Sequence, residues 1–497
     1  PNSPQTVFRI ASTSKQFTAA CIILLSQQGK LSLDDKLINY FPDFPSYANT
    51  ITIRQLLNHT SGIREYLTLA QLSGLTDDDH YTDQTVRKWL AKQNKLNFKP
   101  GDEHSYSNSG YWLLGQIVNQ VSGISMAEYA EKYIFKSLEM NHTHFHNDHT
   151  RIVKNRASGY APNESNGYAI SMTTLEMVGD GGLFTTVEDL KKWDDSFYDS
   201  TVLNPNFWKQ MTTVGTLNNG EELTYAAGLG VVNYKGLKLI HHGGAFVGFR
   251  AEMIRFPEHH FSVIILANRA DADPTQMALQ IADMFLEQAY HNPQSDVTAE
   301  AQVHSDNESR AIVSLPNNKL QAFEGVYWNH QARISRQLEI RNDTLYYVRT
   351  NGRVTKMVPI AANAFLWTGT KIPIVLQFEE AASPKTFTLQ IPGKAPSHYS
   401  AYTPINSFSQ ADLKDYSGEY YSAELDITYS LQPENNGIML HVNGEATAPL
   451  IPIMEKLMTL DAGQIFEFND TKEEFNVSMD GVTDLKFSKI NRLPTPN

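Results

Sequence analysis

The stretch that decides the fold is Phe8–Phe17, "FRIASTSKQF", which holds Ser12 and, three residues further on, Lys15. Apolar residues then recur at helical spacing, which predicts a helix over Ser14–Gln28. Ser12 would lie at the helix N-terminus, where free backbone N–H groups favour negative charge. Lys15 would lie on the same face, and a neutral lysine there could take the hydroxyl proton. The alternative is a serine that caps the helix beside an ordinary lysine.

A second candidate motif is "HSYSNSGYWLLG", in which Tyr106 and Asn108 flank Ser107 just before an apolar helix predicted over Ser109–Val121. Residues two apart in an extended segment point the same way, so both side chains could face one cleft. A phenol beside an ammonium group ionises more readily and can act as a base. An asparagine can bind an amide. The alternative is a structural tyrosine followed by a helix-capping asparagine.

A third motif is "LIHHGGAFVGF", an apolar strand that ends in His242 and is followed by Gly243 and Gly244. Glycines let a substrate backbone lie close to a strand edge. A backbone N–H at that edge could donate to an oxyanion. The alternative is a glycine turn after a surface histidine whose hydrogen bonds are satisfied.

In this order, the motifs S-x-x-K, Y-x-N and H-x-G resemble those of the serine β-lactamase and penicillin-binding-protein superfamily. The nearest branch holds class C β-lactamases, D-aminopeptidases, DD-peptidases and related esterases. The phrases "LLNHTSGI", "GDGGLFTTVEDLKKW" and "AAGLGV" agree with it. The resemblance implies an α/β (α+β) β-lactamase/transpeptidase-like domain, an antiparallel sheet flanked by helices plus a helical subdomain. It also implies a serine hydrolase that forms an acyl-enzyme and needs no cofactor.

The resemblance also implies a function for each matched residue. Ser12 would attack a carbonyl and become acylated, and Lys15 and Tyr106 would share the proton transfers, with the identity of the base left open. Asn108 would bind the amide on the acyl side of the substrate. The backbone N–H groups of Ser12 and Ala245 would form the oxyanion hole.

One departure from the family pattern bears on the substrate. Relatives that hydrolyse penicillin or release C-terminal D-Ala often carry Lys-Thr-Gly or Lys-Ser-Gly where this chain has His242-Gly243-Gly244. The missing hydroxyl and fixed charge predict weak binding of a free carboxylate, unless Arg250 on the next strand supplies the charge. We therefore favour a small amide, peptide (including D-amino-acid) or ester substrate. The alternatives are a β-lactamase or DD-carboxypeptidase, and a non-catalytic penicillin-binding, peptidoglycan-binding or sensor protein.

The second half of the chain differs in character from the first. Residues 1–290 mix helical and strand patterns, residues 291–317 form a polar linker, and short alternating strands follow. "LQAFEGVY" (Leu320–Tyr327) recurs as "LKDYSGEY" (Leu413–Tyr420). We therefore predict two tandem barrel-like β modules, residues 318–403 and 404–497, as in a D-aminopeptidase-like architecture. The alternative is one long β domain.

Composition excludes several classes of partner. The chain has 497 residues, a net charge of −13 and a single cysteine, Cys21, which rules out an internal disulfide. The negative charge disfavours nucleic acids and anionic membranes. No apolar run approaches the ~18–20 residues of a membrane helix. We expect a small-molecule or short-peptide substrate and, from the resemblance, a periplasmic or secreted location.

Two further expectations concern metal ions and the start of the chain. "MNHTHFHNDHT" holds candidate zinc ligands, but we interpret it as a surface turn and predict no metal site; its histidines are His142, His144, His146 and His149. In the family two strands and a helix precede the nucleophile, whereas eleven residues precede Ser12 here. We therefore expect an upstream segment, in the same or a separate chain, that pairs with the edge strand predicted near Ser262–Ala267. The oligomeric state is left open.

Overall fold

A computed structural model describes residues 2–490 apart from residues 77–78, 164–166, 200, 291–311, 350–352, 371–372, 380–381, 393–395, 406, 436 and 461–462. Most of the predicted linker, 291–317, lies outside the described residues. Among the helices that are described, none is long and apolar enough to cross a membrane.

The N-terminal region contains most of the helices. The α-helices of the described residues are α1 (Lys15–Gln27), α2 (Ile53–Leu57), α3 (Tyr66–Leu72), α4 (Asp83–Lys92), α5 (Asn108–Ser122), α6 (Met126–Ala130), α7 (Val187–Asp195), α8 (Pro205–Thr212), α9 (Pro274–Leu286), α10 (Asn317–Leu320) and α11 (Gln410–Tyr416). Helices are present at every position where the sequence predicts one, with ends shifted by a few residues: Ser14–Gln28, Thr52–Leu57, Thr85–Lys95, Ser109–Val121, Met126–Ile134, Thr186–Ser196 and Pro274–Tyr290. Helices α3 and α8 were not predicted, although α8 carries the sequence signal of an asparagine cap followed by proline.

Within the described part of the N-terminal region, the strands form three sheets. They are β1 (Phe8–Arg9), β2 (His144–Phe145), β3 (Tyr160–Pro162), β4 (Tyr168–Ile170), β5 (Leu183–Thr185), β6 (Gly230–Tyr234), β7 (Leu237–Phe246), β8 (Phe249–Phe256) and β9 (Phe261–Ala267). The small sheets have the orders β1-β5-β2 and β3-β4, and the main antiparallel sheet has the order β6-β7-β8-β9. The sequence predicts an antiparallel meander of strands near Lys238–His242, Phe249–Phe256 and Ser262–Ala267, joined by short turns, and β7, β8 and β9 confirm it.

Strand β7 is longer than the sequence predicted. "GGAFVG" was interpreted as the turn after His242, but β7 continues through both glycines to Phe246, and Ala245 pairs with Arg250 of β8. The turn is confined to Val247 and its following glycine. Gly244 is needed within the strand because a Cβ there would lie 2.1 Å from the Ile10 carbonyl oxygen, and this close approach has no local sequence signature.

Helix α1 is buried on nearly every side. Its buried residues run from Lys15 to Ile23 and include Leu25. The helix packs against α5, α6 and α8 within the largest apolar core. A helix that is apolar all round belongs in an interior, and this position carries the ammonium group of Lys15 into the protein.

Two closed eight-stranded antiparallel barrels follow, which confirms the predicted fold class. Barrel one comprises β10 (Gly325–Asn329), β11 (Ile334–Arg341), β12 (Thr344–Arg349), β13 (Val354–Ala361), β14 (Ala364–Trp367), β15 (Val375–Phe378), β16 (Thr386–Gln390) and β17 (Ser397–Tyr402). Barrel two comprises β18 (Gly418–Ser422), β19 (Ile427–Glu434), β20 (Gly437–Val442), β21 (Glu445–Met454), β22 (Leu457–Thr459), β23 (Ile465–Phe468), β24 (Glu474–Met479) and β25 (Val482–Lys489).

The repeated sequence takes equivalent places in the two barrels. Each copy leads into the first strand of its barrel, β10 or β18. The Tyr327 hydroxyl donates to the Phe323 carbonyl at 2.8 Å, and the Tyr420 hydroxyl donates to the Tyr416 carbonyl at 3.0 Å. The same hydrogen bond therefore fastens the first strand in both copies.

Strand β9 ends the main sheet, where it pairs with β8 and packs against α9. Its side chains are mostly half-buried. The upstream segment expected to pair with this edge stays a prediction.

Candidate functional site

Ser12 lies in a short 3₁₀ turn, Ala11–Ser14, that leads directly into α1. Neither this turn nor α1 has a side-chain cap. The Ser14 hydroxyl bonds to the Ala11 carbonyl at 2.5 Å. Ala11 adopts a left-handed conformation with φ 47°, which L-residues seldom adopt. The interpretation of Ser12 as a helix cap is therefore wrong.

The Lys15 ammonium group is fully buried beside Ser12. Its Nζ donates to Ser12 Oγ at 3.1 Å, to Asn108 Oδ1 at 2.7 Å and to the Asp180 carbonyl at 2.6 Å. Nζ also lies 4.8 Å from the centre of the Tyr106 ring. Three acceptors match the three donors of an ammonium group, so the lysine links the nucleophile to the second predicted motif and to the backbone at Asp180.

Tyr106 and Asn108 reach the site from the start of α5. Ser107, not Asn108, caps this helix, because its hydroxyl accepts from the Gly110 N–H at 3.2 Å. The Asn108 side chain is therefore free to meet Lys15. The Tyr106 ring is 40% exposed and packs against the His59 ring at 4.2 Å between centres.

Two buried carboxyl groups that were not among the predicted site residues support these residues. Glu65 Oε2 accepts from the Asn108 N–H at 2.6 Å and from the Ser109 N–H at 3.4 Å, and burial raises the pKa of Glu65 to about 7. Asp180 Oδ2 accepts from the Tyr66 hydroxyl at 2.9 Å. Burial raises the pKa of Asp180 against the opposing effect of Lys15. The phrase containing "GDGG" marked Asp180 as part of the family pattern, but nothing local marked Glu65.

His242 is buried, so its interpretation as a surface histidine is wrong. Its Nδ1 lies 2.6 Å from the Gly243 carbonyl, and its Nε2 lies 2.9 Å from the Tyr225 hydroxyl. A neutral ring with its proton on Nδ1 satisfies both contacts. Burial, assisted by the charge of Lys15, lowers the pKa of His242 to about 3. The ring is therefore uncharged at neutral pH.

Gly244 allows β7 to approach the nucleophile turn closely. A Cβ at this position would lie 2.1 Å from the Ile10 carbonyl oxygen and 2.9 Å from Thr13 Oγ1. The Thr13 hydroxyl also donates to the His242 carbonyl at 3.3 Å. The strand can therefore contact the backbone beside Ser12 because this residue has no side chain.

Ser12 borders two adjoining cavities. The outer cleft brings together most of the predicted residues, and its lining includes Ser12, Tyr106, His242, Gly243, Gly244, Ala245 and Arg250. The inner pocket is lined by Ser12, Asn108, Asp180, Ala245 and a group of apolar side chains that includes Leu67, Leu175 and Met177. The arrangement can hold a carbonyl at Ser12 with one substituent in each cavity.

Barrel two contacts the residues that support the site. The Glu65 N–H donates to the carbonyl of Gly481 at 2.8 Å, in the hairpin between β24 and β25. Gly481 has φ +73°, and a Cβ there would lie 2.5 Å from the Cβ of Glu65. The Thr68 hydroxyl donates to the Asp480 carbonyl at 2.8 Å. The hairpin thus packs directly against the segment that carries Glu65.

The comparisons with known proteins agree with this geometry. The family model described as Beta-lactamase matches residues 1–284. Penicillin-binding protein 4* of Bacillus subtilis (strain 168) is 30% identical over 308 residues, which cover 58% of this chain and 66% of that protein. D-aminopeptidase of Gluconobacter oxydans (strain 621H) is 27% identical over 274 residues, which cover 55% of this chain and 51% of that protein. The chain thus spans about half to two thirds of the length of these relatives.

Among solved structures, the octameric penicillin-binding protein homologue from Pyrococcus abyssi has a TM-score of 0.52 and 23% identity. The match covers 80% of this chain and 89% of that chain, and at this identity it bears on the fold alone. The family match covers more than half of the chain and coincides with the region that holds Ser12, Lys15, Tyr106 and Asn108. The chain belongs to the beta-lactamase family.

Proposed function

We propose that this chain is a serine hydrolase that forms an acyl-enzyme on Ser12 from a small amide, peptide or ester. The observation that carries the proposal is the 3.1 Å contact between Lys15 Nζ and Ser12 Oγ, at the boundary of two cavities. A buried lysine that meets a hydroxyl, an amide and a carbonyl holds the nucleophile in one orientation.

The proposed reaction proceeds in two halves. Ser12 Oγ attacks the substrate carbonyl carbon, a C–O bond forms, and the hydroxyl proton passes to the pair of Lys15 and Tyr106. The backbone N–H groups of Ser12 and Ala245 bind the oxyanion. The bond to the leaving amine or alcohol breaks as that group takes the proton. Water then attacks the ester, releases the acid and restores the serine.

The outer cleft favours substrates without a free carboxylate next to the scissile bond. His242 is neutral because its pKa is lowered to about 3, and neither glycine that follows it offers a hydroxyl. A carboxylate there would lack the charge-assisted partner that a lysine provides in many relatives. The similarity to D-aminopeptidases supports the same class, including derivatives of D-amino acids.

A second candidate is hydrolysis of β-lactams or of D-Ala-D-Ala peptides, and one observation favours it. The Arg250 side chain lines the outer cleft with Ser12. Its Nη1 donates to the carbonyls of Val247 at 2.9 Å and Phe249 at 2.7 Å, which hold the guanidinium group beside the turn. This cation could receive the substrate carboxylate in place of a lysine.

A substrate panel tests these candidates. It contains D-alanine and L-alanine anilides, short nitrophenyl esters, a D-Ala-D-Ala peptide and a chromogenic cephalosporin. We expect turnover of an anilide or ester that disappears in Ser12→Ala. Rapid turnover of the cephalosporin or the D-Ala-D-Ala peptide, lost in Arg250→Ala, would instead establish the second candidate.

A non-catalytic binding or sensor protein would behave differently with an active-site serine probe. We expect the probe to label the wild type and to leave Ser12→Ala unlabelled. Equal labelling of the two proteins, or none, would contradict acylation of Ser12. We also propose an exported location, periplasmic or secreted, as the family similarity implies. Fractionation of cells that express the full-length protein tests this point.

A further inference from the structure

Three metal-ligating side chains from separate segments meet outside the cleft. They are His80, ahead of α4; His149, after β2; and Glu176, between β4 and β5. Their candidate ligand atoms all lie within 4.8 Å of one another. His149 Nδ1 lies 2.6 Å from Glu176 Oε1, and the His80 and His149 rings lie 5.5 Å apart between centres.

The spacing of these atoms suits a small metal ion. Zinc binds imidazole nitrogen at about 2.0–2.1 Å and carboxylate oxygen at about 2.0–2.2 Å, so atoms around a tetrahedral ion are roughly 3.3 Å apart. The separation of 2.6 Å between His149 and Glu176 is shorter than that value, and no pair of the three ligand atoms is more than 4.8 Å apart. The side chains of His149 and Glu176 are 41% and 31% exposed, so an ion and its water ligands can reach them from solvent.

We propose that His80, His149 and Glu176 form a binding site for a transition-metal ion, with zinc as the best-matched ion. Two imidazoles and one carboxylate are a ligand set that zinc accepts, and water would complete the coordination. The sequence could not predict this site. His149 was considered with the histidines next to it, whereas the fold brings it to two residues that are distant in the chain.

The site is connected to the wall of the inner pocket. Glu176 lies between Leu175 and Met177, which are both buried and both line the pocket next to Ser12. Residues 171–178 have neither helix nor strand, so side-chain contacts hold this wall. A bound ion would fasten it to the segments of His80 and His149. We therefore expect the ion to change KM more than kcat, a consequence that rests on the proposed function, whereas the binding itself does not.

A competing site lies in the same histidine-rich stretch. His144 Nε2 and His146 Nδ1 are 3.3 Å apart, a distance that also suits two ligands of one ion. The two sites share no residue, so single substitutions separate them.

Titration of the full chain with zinc chloride, after removal of bound metal by a chelator, tests the proposal by calorimetry. We expect one ion per chain, and a visible absorption spectrum of four-coordinate cobalt when cobalt chloride replaces zinc. His80→Ala and Glu176→Gln should each weaken binding about tenfold or more. His144→Ala and His142→Ala are matched controls that should bind like the wild type.

Two results would overturn the metal site. One is a wild type that takes up no ion, and the other is binding that survives Glu176→Gln but is lost in His144→Ala. Because calorimetry and cobalt absorption do not depend on turnover, failure of the hydrolase proposal would leave this test intact. For the pocket wall, zinc should shift KM in the wild type but not in Glu176→Gln. An equal shift in both proteins would contradict that coupling.

Discussion

Barrel one and barrel two share a strand plan, yet they differ in what they pack against. The apolar side chains of barrel two join those of the N-terminal region in one continuous core, whereas barrel one encloses a core of its own. Barrel one meets barrel two through a small apolar cluster in which Trp328 contacts Leu457 and Ile465. One copy has thus become part of the core of the N-terminal region, while its repeat has kept a self-contained interior.

The polar contacts of barrel two and barrel one differ in the same way. The Arg64 side chain, with no exposure, pairs with Glu424 of barrel two at 2.7 Å and also donates to Gln93 at 2.8 Å. Barrel one reaches barrel two through an ion pair of Arg333 with Asp484, whose side chains are 22% and 42% exposed. A buried pair is costly to break, whereas an exposed one contributes little. The comparison therefore makes quantitative predictions.

The largest expected effect comes from breaking the buried pair. Glu424→Gln would leave the Arg64 charge uncompensated in the interior and should lower the free energy of unfolding by about 3–5 kcal/mol. The matched variant Arg333→Ala should lower it by about 0–1 kcal/mol. Urea denaturation of both variants measures the difference. Equal losses of free energy of unfolding in the two variants would show that the buried and the exposed ion pair stabilise the protein equally.

A smaller effect is expected at the hairpin that contacts Glu65. Gly481→Ala adds left-handed backbone strain and a clash with Glu65, so it should lower the free energy of unfolding by about 2–4 kcal/mol. It should also reduce kcat/KM for the substrate found by the panel. Gly444 is a matched control in another hairpin of barrel two, because it has φ +84° and nothing within 4 Å of its Cβ position. Gly444→Ala adds the backbone strain alone, so it should lower the free energy of unfolding by about 1–2 kcal/mol and leave kcat/KM unchanged. Similar kinetics for both variants would mean that the hairpin does not position the site.

The last expected effect is a change in pH dependence. Burial raises the pKa of Glu65 from 4.5 to about 7, so the folded state holds a proton there that the unfolded state releases. The contribution of Glu65 to the free energy of unfolding is fully present below pH 4.5 and is lost as the pH rises towards 7. Glu65→Gln should therefore gain stability relative to the wild type over that window. Denaturation curves at several pH values give the difference in free energy of unfolding between Glu65→Gln and the wild type. A difference that does not change with pH would contradict the raised pKa of Glu65.

The sequence predicted those parts of the site that depend on short spacing. Ser12 and Lys15 are one helical turn apart, and Tyr106 and Asn108 flank one residue, so local geometry alone brings each pair together. Glu65 could not be predicted, because its importance comes from contacts with the start of α5 and with a hairpin far along the chain.

For the fold, too, local patterns could be predicted from the sequence, whereas long-range contacts could not. Amphipathic helices and the antiparallel meander followed from periodicity, and the two barrels followed from the repeat. Helix α3 was missed because it is short and buried on most faces, which removes the periodic pattern. The length of β7 was underestimated because paired glycines usually signal a turn. Here Gly244 packs closely against Ile10, which belongs to a distant segment.

The close approach at Gly244 also has a consequence for how this site can evolve. Any side chain there would collide with the Ile10 carbonyl oxygen, so random mutagenesis should return almost no active variants at this codon. Adaptation to new substrates would have to begin at neighbours with room to change, such as Arg250 on the facing strand. The contact that fits the strand to the nucleophile thus restricts the paths by which selection can reach a new specificity.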